Sequence, residues 1–279
     1  MPSRFIQQSE INNQKVLMPL TFYKKPALVV YVTCGDPNLA TTREIVLAAI
    51  AAGADVIELG VPFSDPVADG PVIQRASERA LKHSTSLGQV LTLAAEIRQH
   101  AQSTGLIVFS YLNPVLRMGM DRFCKVARAA GVDGALITDL PVEEAAEYLR
   151  VMRAYDLSPI FLAAPTSPDD RLQRIADASR GFIYAISRTG VTGQRQQLAG
   201  DARKLVRRLR RCTKLPIALG FGISTAEQFT EMGAFADAVV VGSAIVETVE
   251  RNSGREAIAV REFVEELLAV TPQLAATSN

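Results

Sequence analysis

Eight times along this chain a short apolar run rich in β-branched residues gives way to a stretch whose apolar residues recur at intervals of three and four. The runs are LVVYVT (28–33), DVIELG (55–60), LIVFSYL (106–112), GALIT (134–138), SPIFLA (158–163), GFIYAIS (181–187), LPIALG (215–220) and DAVVVG (237–242). Between them lie amphipathic segments such as TREIVLAAIAAG, EEAAEYLRVMRAY and REAIAVREFVEELLAV. Strand and helix alternating in this way predict an α/β fold, a single (β/α)₈ TIM barrel spanning residues 1–279. A doubly wound open sheet is the structural alternative. It usually has fewer strands and a glycine fingerprint for a dinucleotide after the first, where this chain has CGDPN. Residues 1–26 read as an N-terminal extension with a helix, and 270–279 as a frayed polar tail.

The polar and glycine residues gather after the C-terminal ends of the runs, which in a barrel open on one face, the face that carries active sites. The richest of these loops follows the second run: IELGVPFSDPVADGPVIQ, from Ile57 to Gln74. Side chains alternate along a strand, so Glu58 shares a face with Val56 and Gly60 and points the way a buried valine points. A carboxylate on an apolar face is costly unless it is hydrogen-bonded or shifts its pKa, and proton transfer is the reading that accounts for it. Asp65 and Asp69 follow in the loop. GFGIS (220–224) and GSAI (242–245), after the seventh and eighth runs, let backbone N–H groups approach an anion at the usual phosphate position of this fold. SRTGVTGQRQQLAG (187–200) reads as a lid over a ligand, or as a long solvent loop.

Thirty basic residues against 29 acidic ones leave no field to hold nucleic acid or an anionic membrane, and the RKLVRRLRR cluster (203–211) reads as a solvated helix face. Cys34, Cys124 and Cys212 are odd in number and scattered, without metal or disulfide spacing, which fits a reducing cytoplasm. No secretory leader or membrane-spanning run is read. His83 and His100, the only histidines, fall in the helical arm after the second run, so acid–base work falls to carboxylates. No metal site is expected, because the carboxylates do not come with histidines at ligand spacing.

At YVTCGDP, AGADVIELGVPFSDPVADGPVIQ, YLNP, GVDGALITDLPVEE, SPIFLAAPTSPDDRL, FIYAISRTGVTG, GFGIS and VVVGSAIV the sequence closely resembles the tryptophan synthase alpha subunit family, in order from about Leu28 to about Val249. The resemblance implies retro-aldol cleavage of indole-3-glycerol phosphate to indole and glyceraldehyde 3-phosphate. It implies Glu58 as the acid–base group, Asp69 as the acceptor of the indole N–H, and Tyr184 as an active-site tyrosine, although Tyr184 also suits core packing. Phe221 would line the indole pocket, Thr192 and Gly193 would reach the site from the lid, and Gly222, Gly242 and Ser243 would hold the phosphate. Arg188 would help order the lid. Asp65, Asn113 and Pro141 would meet a beta subunit in an α₂β₂ tetramer. No cofactor is expected in this chain, pyridoxal phosphate belonging to the partner. Three features depart from the family's habit: a longer segment before Ala27, Arg117 where asparagine is common, and Tyr31 where phenylalanine also occurs.

Three other readings compete. One is a stand-alone indole-releasing lyase, and another a catalytically retired barrel that binds phosphate and regulates a partner; the third is a different phosphate-sugar barrel, which would lack the PFSDPVADGP loop. Retirement sits poorly with the retention of both Glu58 and Asp69.

Overall fold

The computed structural model describes residues 20, 22–186, 195–220 and 222–269, with side chains from residue 200 onward in the third of these stretches. The elements run β1 (Ala27–Thr33), α1 (Leu39–Ala52), β2 (Val56–Gly60), α2 (Pro71–Lys82), α3 (Leu87–His100), β3 (Gly105–Ser110), α4 (Leu112–Met118), α5 (Met120–Ala129) and β4 (Gly134–Ile137). They continue with α6 (Ala146–Ala154), β5 (Ser158–Ile160), β6 (Leu162–Ala163), α7 (Asp169–Ala178), β7 (Ile183–Ile186), α8 (Arg195–Cys212), β8 (Ile217–Gly220), α9 (Ala226–Gly233), β9 (Ala238–Val241), α10 (Ser243–Arg251) and α11 (Glu256–Ala269).

All strand pairs are parallel, in the order β5-β4-β3-β2-β1-β9-β8-β7-β6. The two ends of that order are halves of one extended segment, 158–163, so the sheet closes on itself as a (β/α)₈ barrel. The fifth run is therefore not one continuous strand. Pro159 supplies no N–H to a ladder, and the segment changes partner at Phe161, from β4 to β7. Alternation survives the break: Ile160 and Leu162 face the barrel interior while Phe161 packs outward under the helices. The third run is shorter than its sequence suggests. Leu112 already begins α4, its N–H held by the Asp139 carboxylate at 2.7 Å, and Pro114 sits in the first turn, where its missing N–H costs nothing.

Two apolar layers follow from the period of two. Leu28, Val30, Ile57, Leu59, Leu106 and Val108 join the layer between strands and helices, while Val29, Val56, Ile107, Ala218 and Val240 fill the barrel. The helices are punctuated by their own sequence. Asn38 caps α1 through the Thr41 N–H at 2.9 Å, Gly53 ends it in the left-handed region, and Ser86 with Gln89 forms a capping box on α3.

The pole at the strands' N-terminal ends is closed by structure-keeping residues. Leu20 is buried in the barrel cluster beside Gly105 and Gly134, and Phe22 stacks near Phe182 at 5.4 Å. Three aspartates that precede strands accept a backbone N–H from the strand alongside: Asp55 from Leu28 at 2.9 Å, and Asp133 from Leu106 and Asp237 from Ile217 at 2.8 Å. Lys24, Arg98 and Arg210 respectively pair with them. The 203–211 cluster is thus only partly a solvated face, since Arg208 also binds the Pro165 and Ser167 carbonyls and Arg203 lies over the Phe235 ring. The expected N-terminal helix, residues 187–194 of the expected lid and the tail at 270–279 lie outside the described residues, while the lid's remaining residues, 195–200, are the first turns of α8 rather than loop. No helix among the described residues is long and apolar enough to cross a membrane.

Candidate active site

Glu58 sits in the middle of β2, flanked on its own strand by outward-facing Ile57 and Leu59, and its side chain enters the barrel interior with Val56. It is 1% exposed, and among the described residues neither carboxylate oxygen has a hydrogen-bond partner. Burial pushes its pKa up to about 8. An unpartnered buried carboxyl of this kind stays neutral near neutral pH, able to give a proton and then take one back.

Asp69 lies in the loop between β2 and α2, half-buried at the rim. The loop is tied by its own backbone: the Asp69 N–H donates to the Pro66 carbonyl at 3.0 Å, and the Asp69 carbonyl accepts from the Gln74 side chain at 2.9 Å. Its carboxylate accepts a hydrogen bond from the Tyr111 hydroxyl at 3.1 Å. Burial raises its pKa to about 6, against the lowering effect of that hydrogen bond. The two carboxyls therefore differ in environment, one sealed and unpartnered, the other at the rim and held by a donor. Environments that push two acids apart suit one to give a proton and the other to hold a charge.

Tyr184 projects from β7 into the same interior, across the barrel from β2. Its phenol is held well above the usual range by burial first and then by Glu58, Tyr31 and Asp69. Tyr31, the register partner of Glu58 on β1, is buried and shifted upward in the same way, by burial and then by Asp69. Two glycines make room for these rings. A side chain at Gly60 would collide with the Tyr31 phenol, and one at Gly220 would come within 2.7 Å of the Tyr184 ring. This end of the barrel interior thus gathers two carboxyls and two phenols over a floor of aliphatic side chains, with Phe109 set edge-on to Tyr31 at 5.1 Å.

On the adjacent sector, Gly222 follows β8 with φ +65°, a left-handed conformation suited to glycine. Gly242 immediately precedes α10, and Ser243 is the first residue of that nine-residue helix. Backbone donors and the positive helix end there suit an anion. Arg188, Thr192, Gly193 and Phe221 lie outside the described residues. Asp65, Asn113 and Pro141 are all exposed and follow β2, β3 and β4, three strands that are neighbours in the sheet, so they share one sector of the rim. Beside Pro141 is a cavity of about 200 Å³ lined in part by Asp139, Phe161 and Arg171.

The family model for the tryptophan synthase alpha chain matches residues 19–274. This chain belongs to the tryptophan synthase alpha chain family. The alpha chain of Solibacter usitatus is 49% identical over 245 residues, covering 87% of this chain and 91% of the relative, and that of Methylococcus capsulatus is 48% identical, with 88% and 92% covered. Among solved structures, tryptophan synthase subunit alpha from Legionella pneumophila superposes with a TM-score of 0.81 at 36% identity, covering 88% of this chain and 91% of that one. A chain of the Pyrococcus furiosus tryptophan synthase complex gives 0.81 at 37% identity, with 88% and 99% covered. The family is one of lyase enzymes.

Tyr111 is the site residue that the sequence reading passed over. It lies in the YLNP landmark, but its signal is the alternation Ile107, Phe109, Tyr111, which continues the inward face of β3 beside β2. Among the described residues no cluster of three or more His, Cys, Asp or Glu side chains could hold a metal ion.

Proposed function

We propose that this chain is the alpha subunit of a tryptophan synthase, a carbon–carbon lyase that cleaves indole-3-glycerol phosphate to indole and glyceraldehyde 3-phosphate. The observation that carries the reading is the pair of differently housed carboxyls, Glu58 sealed without partners among the described residues and Asp69 hydrogen-bonded at the rim, in a chain of this family. Neutral Glu58 protonates C3 of the indole. The ring nitrogen then bears positive charge, which the Asp69 carboxylate stabilises while accepting its N–H. Glu58, now ionised, takes the proton of the side-chain hydroxyl as the carbon–carbon bond breaks, and is returned to its starting state. Atoms and charge balance without a cofactor in this chain.

Tyr184 borders the reacting carbons, and Phe221 lines the indole pocket. Gly222, Gly242 and Ser243 bind the phosphate, completed by Thr192 and Gly193 from the lid. Asp65, Asn113 and Pro141 belong to the face that meets a beta subunit, to which indole passes and which supplies pyridoxal phosphate. Three free cysteines, two of them buried, accord with work in a reducing cytoplasm. A retired phosphate-binding barrel is disfavoured by the intact carboxyl pair, and a stand-alone lyase by the likeness to a chain of a synthase complex. The test is indole release by purified protein from indole-3-glycerol phosphate, before and after adding the cognate beta chain. Slow release that the beta chain accelerates supports the reading, and no release in either state refutes it.

A further inference from the structure

One side chain gathers the loop that carries Asp69. Tyr111 is 2% exposed at the end of β3, and its ring lies 5.0 Å from that of Phe63. Its phenol oxygen accepts the Ala68 N–H at 2.9 Å and donates to the Asp69 carboxylate at 3.1 Å. The start and end of the 63–69 segment are therefore pinned to one rigid group. A phenol has a single proton, and here its direction is fixed because the oxygen also accepts the N–H of Ala68, the residue before Asp69. That ties one oxygen of the Asp69 carboxylate to the group that also holds the loop's backbone.

We propose that Tyr111 is a positioning residue for the lyase reaction, holding the Asp69 carboxylate in the orientation that meets the indole nitrogen. The proposal rests on the role given to Asp69 above. Tyr111 does not itself move a proton in this scheme, because burial and then Asp69 hold its phenol far above neutral pH. Among the described residues the titratable groups around the pair are Tyr31 from β1, Tyr184 from β7 and Asp139 from the loop after β4, with Glu58 from β2 beyond the two phenols. Among the described residues only Tyr111 donates a side-chain hydrogen bond to Asp69, and that bond opposes the effect of burial. Its loss therefore moves the Asp69 pKa upward from about 6.

The experiment is Tyr111→Phe, which keeps the ring against Phe63 and removes the hydroxyl, measured with saturating beta chain. A hydrogen bond to a charged group converts to a loss of about 10-fold to 100-fold in kcat. The acid limb of kcat/KM should move to higher pH, and glycerol phosphate should bind within about 2-fold of wild type, as expected for a group acting at the far end of the ligand. In an Asp69→Asn background the same substitution should cost little more, since a residue acting through Asp69 has nothing left to position. A ¹³C titration of the Asp69 carboxyl carbon reads the same bond without turnover. An unmoved acid limb, an Asp69 carboxyl that titrates as in wild type, or an equal loss in both backgrounds would each overturn the proposal. Near-normal turnover by Asp69→Asn alone would instead remove the role of Asp69 itself, an outcome visible before Tyr111 is touched.

Discussion

Replacing Glu58 with glutamine should cost nearly all activity and, at alkaline pH, make the protein more stable. The carboxyl is sealed in the barrel with no partner for either oxygen among the described residues, and its pKa rises from 4.5 to about 8. Between those values the unfolded chain has released the proton that the folded chain still holds, so ionisation opposes folding and wild-type stability falls as pH rises through that window. One proton corresponds to about 1.4 kcal/mol per pH unit, or of order 5 kcal/mol across the whole window. Glutamine has the same shape and no such proton, and its amide is as unpartnered there as the neutral acid. Denaturant unfolding of both proteins from pH 4 to pH 9 should therefore give a stability difference that is flat below 4.5, grows in favour of the variant up to about 8, and is flat again above it. Turnover of indole-3-glycerol phosphate should fall by about 10²-fold to 10⁴-fold, the usual worth of a positioned acid–base group. A stability difference that does not change with pH would refute the argument that Glu58 is held as a buried neutral acid. Near-normal turnover would refute its chemical role.

Three further outcomes follow from the same geometry. The profile of kcat/KM against pH should be bell-shaped, with the acid limb near 6, where Asp69 loses its charge, and the alkaline limb near 8, where Glu58 loses its proton; a rate that keeps rising through pH 9 contradicts this assignment. Asp69→Asn keeps the loop's backbone bonds but carries no charge to offset the ring nitrogen, so steady-state kcat should drop by about 10²-fold to 10³-fold, with glycerol phosphate binding retained. Asp65→Ala removes an exposed carboxylate whose one side-chain hydrogen bond among the described residues is from the neighbouring Ser64 hydroxyl, at 2.5 Å, so the isolated chain should fold and turn over as wild type. Its activation by the cognate beta chain, measured by titration, should be weaker, and full activation at wild-type beta concentrations would exclude Asp65 from the interface.

The alternation of strand and helix was legible because it is a local property, as was the inward aim of Glu58, which needs only the period of two and a valine two residues away. Two kinds of feature were not. The break at Phe161 depends on which strand lies alongside, since 158–160 pairs with β4 and 162–163 with β7, and nothing in SPIFLA records that change of partner. The third run was read too far because YL continues its apolar pattern, while the helix that begins at Leu112 is set by Asp139, 27 residues on. The hydroxyl of Tyr111 is similar: its ring could be placed on the inward face, but its bonds to Ala68 and Asp69 exist only once β2 and β3 are side by side. The arginines of α8 looked uniform in sequence, yet Arg208 and Arg210 are distinguished by carbonyls and a carboxylate contributed from elsewhere.

The arrangement around the barrel suggests why the costly burial of Glu58 is compatible with control by a partner. β2 and β7 face each other, with the proposed phosphate sector on β7, β8 and β9 and the proposed partner sector on β2, β3 and β4. Glu58 is fixed on the strand itself, where five consecutive residues are buried and the ladder to β1 and β3 is complete, so a docked chain has little means of moving it. Asp69 is different. It belongs to the loop, whose exposed part includes Asp65 and Val67, the latter 86% exposed. A partner that covers that part acts on the same segment that Tyr111 pins from within. A displacement of about 1 Å in a catalytic group is worth about 10²-fold, so activation needs no new chemical group, only a tighter setting of the Asp69 carboxylate against a Glu58 that is already in place. On this view the effects of Tyr111→Phe and of withholding the beta chain should overlap rather than multiply, because both loosen one loop.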